Sequence, residues 1–479
     1  MAAIFVSAEP QNSCNFAPAI QGKKIMKGSN SVRIDMLHGQ LLGKIMLFAL
    51  PLMASGILQQ SFNAVDVAVV GRFCGSRAMA AVGSNGPIIN ILVNLFIGIS
   101  VGANVVIANY IGRRNEQGIR RAVCTVAFIA LASGVLLTFV GVTFARPILE
   151  MMNTPHDVIN LASVYLRIYF TGMPFMMAYN FGSAIMRSMG DTRRPFYSLV
   201  VGGIVNTSLN LLLVIGFDMG VKGVAIATVV SNFVSAAIIV WWLCREEEPY
   251  RLNLRAMKVE KAELKKMLQI GVPAGVQGMV FSIANIFIQS TINTFGSDAV
   301  AGSAAALNYE LYCYYVISAF SQAAVAFVSQ NYGAGEHERC RRVFRLCMAL
   351  SVGLSGLLNL LIAWQGPLCI IPFTTDPTVM HYAIIRLHTV LLFQWIACSY
   401  EISGASLRGL GYSLTPTVIT IFGTCVLRLA WVYYINAHSH DFTTLLGIYP
   451  ITWAVTGVLM LATYFFIERR LFSTRRRSV

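Results

Sequence analysis

The chain has 479 residues, 56% hydrophobic and 12% charged, with 36 Lys and Arg against 21 Asp and Glu for a net charge of +15. Soluble domains average about 25% charged residues, so this composition, with a mean hydropathy of +0.64, excludes a water-solvated core and calls for lipid around most of the chain. On such a chain the positive excess points first to membrane topology rather than to nucleic acid, and its distribution decides between them.

In chain order, the first 40 or so residues are polar and irregular and lack the basic start, apolar run and cleavage site of a signal peptide. They read as a cytosolic tail, 1–43. A span needs about 20 apolar residues, and twelve such runs follow, near 44–71, 78–111, 120–148, 158–187, 195–217, 222–244, 267–295, 299–333, 343–372, 378–407, 415–436 and 445–467. They group into an amino-terminal lobe of six spans (44–244), a linker (245–266) in which 12 of 22 residues are charged, a carboxy-terminal lobe (267–467) and a basic tail (468–479). With both termini in the cytosol, 29 Lys and Arg fall on the inner segments and four on the outer loops. That bias predicts an integral protein of the plasma (inner) membrane with both ends inside, and leaves no basic domain for nucleic acid. The ten cysteines are scattered, without a CxxC pair or zinc spacing, and read as packing residues.

The second half restates the first at a shift of 221 to 222 residues. Pro51 matches Pro273, Asn63 matches Asn285, and Phe73 matches Phe295. Asn109-Tyr110 matches Asn331-Tyr332, and Arg187-x-x-Gly190 before Pro195 matches Arg408-x-x-Gly411 before Pro416. Six spans per half means that both halves enter from the same side, a parallel repeat typical of transporters. The expected fold is therefore all-α, twelve transmembrane helices in two six-helix lobes.

The run Asn63-Ala-Val-Asp66-Val-Ala-Val-Val-Gly71-Arg72, with Gly75 and Ala80-Ala81-Val82-Gly83 after it, resembles the first helix and loop of the multidrug and toxic compound extrusion (MATE) transporters. So do Arg187-Ser-Met-Gly190-Asp191-Thr192 and Gly220-Val-Lys-Gly223-Val-Ala225-Ile-Ala227-Thr228. The likeness covers about residues 36 to 468. It implies a two-lobed antiporter that exports amphipathic, often cationic, compounds against an inward flow of protons or sodium ions.

Of the 21 acidic residues only Asp66, Glu310 and Glu401 fall well inside spans, where a carboxylate costs about 2.5 to 3.5 kcal/mol on insertion scales. Asp66 lies in the outer half of the first span. Asn206 and Asn210, four apart on one face of the fifth span, and Thr228 of the sixth lie at similar depth, so packing of these three spans would gather a carboxylate, two amides and a hydroxyl. That set suits sodium, which prefers hard oxygens, or a carboxylate that takes up a proton when dehydrated. The resemblance implies cation binding at the matching positions of this lobe, with Asn210 standing where many relatives carry a second Asp. In the other lobe, Glu310 among Tyr309, Tyr312, Tyr314 and Tyr315 offers charge and aromatic faces to a lipophilic cation. Relatives coupled to sodium through that lobe often have an acidic residue in the seventh span, and this chain has none there.

Glu401, whose repeat partner is Asn180, reads either as a relay or substrate counter-charge or as the salt-bridge partner of Arg428. The expected ion-coupling set is thus Asp66, Asn206, Asn210, Thr228 and Asn180, and the expected substrate set Glu310, Tyr309, Tyr312 and Glu401. Gly98-x-x-x-Gly102 and Gly271-x-x-x-Gly275 are packing signals. No phosphate loop, HExxH or GxSxG motif appears, and no extramembrane segment is large enough for an enzyme core. No cofactor is expected beyond the coupling ion, H+ or Na+, and no obligate protein partner. The competing reading is a flippase for lipid-linked saccharides of related architecture. It requires a large cationic cavity, for which only Arg167, Arg386 and Arg428 are available within spans.

Overall fold

The computed structural model describes residues 33–152, 154, 158–253, 258–438 and 441–473. Most of the expected amino-terminal tail and the last six residues of the basic tail lie outside these. The described residues are almost entirely helical and contain no strand. The amino-terminal lobe runs α1 (Leu41–Phe73), α2 (Ser76–Gly112), α3 (Glu116–Met151), α4 (Ile159–Thr171), α5 (Met173–Ser188), α6 (Arg193–Leu211) and α7 (Gly220–Cys244). The carboxy-terminal lobe runs α8 (Lys261–Asn293), α9 (Ser297–Gly333), α10 (His337–Trp364), α11 (Gly366–Ile370), α12 (Pro377–Thr389), α13 (Cys398–Gly409), α14 (Leu414–Thr420), α15 (Leu427–His438), α16 (Phe442–Leu446) and α17 (Ile448–Ser473).

Eleven stretches are each long and apolar enough to cross a membrane. The fourth crossing is made by α4 and α5 together, because the run expected as continuous over 158–187 breaks at Gly172. Pro174, at the start of α5, has no N–H for the preceding turn. Pro51, Pro87 and Pro273 by contrast sit inside helices. Two π-helical segments, Leu212–Gly216 and Ile421–Val426, and a 3₁₀ segment, Leu391–Ala397, continue α6, α14 and α12 respectively.

The repeat shows in the backbone. Gly75 and Gly296 adopt φ of +83° and +96°, and Gly190 and Gly411 +90° and +95°. These pairs stand 221 residues apart at equivalent turns, in a region that strains any residue with a Cβ. Both lobes begin and end on the side that carries residues 33–39 and the end of α17, here called the tail side.

There the lobes meet along glycines. A Cβ on Gly98 would lie 2.1 Å from the Gly275 nitrogen, and one on Gly102 2.3 Å from the Met267 carbonyl oxygen. Gly112 and Gly333 face Gln330 and Asn109 as tightly. The two GxxxG spacings are thus the contact line between α2 and α8, where missing side chains let the backbones touch. Polar bonds close the same end: the Tyr110 hydroxyl donates to Glu263 at 2.6 Å, and Lys266 donates to Tyr110 at 2.5 Å.

Residues 33–39 cross this closed end as a strap. The Ile34 N–H donates to the Gly190 carbonyl of the amino-terminal lobe at 3.1 Å, and Arg33 pairs with Glu246, a linker residue that also pairs with Arg194 of that lobe. In the other lobe, Asn331 donates to the Met36 carbonyl at 3.2 Å, while one guanidinium, Arg339, donates to the carbonyls of Met36, His38 and Gly39 at 3.2, 2.9 and 3.0 Å.

Candidate functional site

Asp66 is half-buried on α1, and α6 supplies its partner. The Asn210 amide donates to the Asp66 carboxylate and to the Asn206 side-chain oxygen, the latter at 3.4 Å. Both asparagines are buried. The reason α6 can bring them there is Gly203, one turn away, where a Cβ would fall 1.7 Å from the Phe62 ring of α1. Among the described residues no basic side chain pairs with Asp66, and the Asn210 side-chain oxygen has no hydrogen-bond partner. An apolar cluster that includes Val69, Val70, Val214 and Val221 packs beyond the carboxylate, toward the end of α1.

Thr228, expected alongside, instead donates to the Val224 carbonyl of its own helix at 3.0 Å, and no hydrogen bond joins it to Asp66. Asn180 likewise donates to the Met176 carbonyl at 2.9 Å, and among the described residues no hydrogen bond joins it to this group. A stacked pair that sequence reasoning missed, Tyr165 and Tyr169 with ring centroids 5.9 Å apart, lies within electrostatic reach of Asp66. Their spacing of four on α4 accounts for the stack, but nothing in that spacing signals the approach to Asp66, which is between spans.

The second feature is a cavity of about 550 Å³ in the carboxy-terminal lobe, bounded on one side by α2. It begins where the glycine seam ends, with Asn90 and Asn94 preceding Gly98 on α2 and Gln277 to Gln289 following Gly275 on α8. Asn94 donates to Ser282 at 3.0 Å across the interface. At the equivalent contact of the repeat, the space that Asn94 leaves open against Gly278 is filled by Tyr315 against Gly56.

Glu310 lines this cavity but is already neutralised. Arg386 makes a two-pronged pair with it at 2.6 and 2.9 Å, both side chains buried. The expectation of a free carboxylate framed by tyrosines is corrected accordingly. Tyr309 donates to the Cys369 carbonyl at 2.7 Å and packs on Phe373, and Tyr312 does not line the cavity; of that tyrosine run, only Tyr314 does. Glu401 also lines it, beside Tyr314 and within reach of the Arg408 charge.

The Glu401–Arg428 salt bridge is not formed. Arg428 instead donates to Asn285 and Thr452, each at 3.3 Å, and lies over the rings of Tyr449 and Phe281. Two carboxylates and two guanidiniums therefore line one cavity, which is not the strongly cationic chamber that a saccharide-lipid flippase requires.

The MatE family model matches residues 51–212 and again 273–434, one copy in each lobe. The chain belongs to the MatE family. The probable multidrug resistance protein YoeA of Bacillus subtilis is 30% identical over 443 residues, 90% of this chain and 94% of the relative. The probable multidrug resistance protein NorM of Thermotoga maritima is 28% identical over 392 residues, 81% of this chain and 84% of the relative. A solved MATE structure in the straight conformation superposes with a TM-score of 0.86 over 93% of this chain and all of that one, at 23% identity. The two MatE copies give the parallel repeat its family meaning, and the chain is an integral membrane transporter built on that fold.

Proposed function

We propose that this MatE protein is a secondary active antiporter of the plasma membrane, with both termini in the cytosol, that exports amphipathic, cationic organic compounds in exchange for protons or sodium ions. The observation that carries this is the lone carboxylate of Asp66, set in a span without a basic partner and backed by two buried amides. A charge left so in the hydrocarbon is expensive unless a cation neutralises it during part of the cycle. A proton on Asp66 removes the charge outright. A sodium ion would take the carboxylate together with the side-chain oxygens of Asn206 and Asn210, the latter unpartnered.

The names of the relatives, multidrug resistance proteins, support drug-like organic compounds as cargo. The concentration of Lys and Arg on the tail side supports a cytosolic placement of that side. Because the glycine seam and the Tyr110 bonds close the tail side, the protein is here in a state shut toward the cytosol.

The test is ethidium transport in proteoliposomes with sodium and proton gradients imposed separately. One of the two gradients drives uptake or efflux with wild-type protein, and Asp66→Asn at the same protein level transports no more than empty vesicles. Full gradient-driven transport by Asp66→Asn would overturn the reading.

A further inference from the structure

The two lobes carry opposite charges on matching pairs of crossings. In the amino-terminal lobe the first crossing (α1) supplies the carboxylate of Asp66, and the fifth (α6) answers with the amide of Asn210. In the carboxy-terminal lobe the first crossing (α8) supplies an amide, Asn285, and the fifth (α14 and α15) answers with a guanidinium, Arg428. Asn285 is the repeat partner of Asn63, one helical turn from Asp66. The same pair of crossings thus meets around a negative charge in one half and, one turn away, around a positive charge in the other.

Arg428 is 1% exposed, yet no carboxylate pairs with it among the described residues. Its hydrogen-bond acceptors are a neutral amide and a neutral hydroxyl, both at 3.3 Å. Its Nη2 is buried without any hydrogen-bond partner, while the residue lines the cavity. A guanidinium keeps its proton at any accessible pH and offers a flat fork of donors. Buried donors of this kind are ordinarily satisfied. Arg386, nearby, shows the contrast, since its fork is filled by Glu310.

We infer that this cavity is an oxyanion receptor: Arg428 takes the carboxylate of an aromatic amphiphile through its free Nη2, and the rings of Phe281, Tyr449 and Trp453 take the body of the molecule. The unanswered Nη2 offers a charge-assisted bond to a carboxylate oxygen, and aromatic walls suit a flat apolar body. This rests on the export reading only for the identity of the ligand as cargo.

The test uses full-length protein in phosphatidylcholine nanodiscs, where no anionic lipid competes, and a fluorescent aromatic carboxylic acid beside its methyl ester. Equilibrium binding is measured for wild type, Arg428→Gln and Arg428→Lys. The expected result is that wild type binds the acid about tenfold or more tighter than the ester, that Arg428→Lys keeps part of this preference, and that Arg428→Gln loses it. Equal binding of acid and ester by wild type overturns the inference without reference to any variant, as does an acid preference that survives Arg428→Gln. Ethidium transport by wild-type protein is run in parallel. Its failure would count against the export reading, whereas the acid-to-ester ratio judges Arg428 alone.

Discussion

Asn210 makes the choice of coupling ion measurable at the scale of one residue. Its amide donates to the ionised carboxylate of Asp66, and a hydrogen bond to a charged group is worth about 1.5–3 kcal/mol. In Asn210→Leu a sodium ion loses an oxygen ligand, so the half-saturating sodium concentration rises by about tenfold or more. If the ion is a proton, the carboxylate loses a donor that favoured its charged form, and the half-saturating proton concentration falls instead. Transport titrated against each ion gives the sign. A second residue-scale outcome concerns Glu310. Glu310→Gln strands the buried Arg386 charge, a loss of about 3–5 kcal/mol by analogy with broken buried pairs. The thermal midpoint drops, and the double replacement Glu310→Leu with Arg386→Leu recovers most of it.

Asp66, Asn206 and Asn210 were legible in the sequence because a carboxylate stands out in an apolar run and amides four apart must share a face. Thr228 makes no hydrogen bond to the Asp66 group, because its hydroxyl has a carbonyl of its own helix in reach, a choice that depth along the helix does not reveal. The Glu310–Arg386 pair, 76 residues apart, was invisible because nothing in either span encodes which distant span it meets.

Among the elements, the helices outrun the apolar runs that announced them. α8 starts at Lys261 and α10 at His337, since polar first turns extend beyond the hydrocarbon while hydropathy records only the part within it. The break between α4 and α5 leaves the apolar run unbroken, and only Pro174 within it marks a place where a span can kink or start. The π-helical and 3₁₀ segments carry no composition signal at all, being set by packing against neighbours.

The GxxxG spacings were read as packing, and their consequence for substitution is position-specific. Gly98→Ala places a methyl 2.1 Å from the backbone of α8, which cannot swing aside as a side chain would. It should depress both the thermal midpoint and ethidium transport. Gly353→Ala on α10, where nothing lies within 4 Å, should leave transport unchanged and the midpoint equal or slightly higher.

Taken whole, the molecule is two similar bundles with dissimilar interiors, shut at one end and hollow toward the other. The strap of residues 33–39 belongs to this scale because it is bonded to both bundles. Arg339→Ala removes all three of that side chain's bonds to the strap at once. Amide hydrogen exchange at residues 34–39 should then accelerate by about tenfold or more, while exchange in the middle of α2 and α8 stays at wild-type rates. Unchanged exchange across the strap would mean that Arg339 does not hold it.

Because the strap is fastened at Gly190 and, through Glu246, at Arg194 on one bundle and at Asn331 and Arg339 on the other, neither bundle can rock against its twin without stretching or unhooking it. Residues 33–39 are therefore geared to the stroke, like a tether across a hinge, and a tag or fusion attached just ahead of them rides on a moving part.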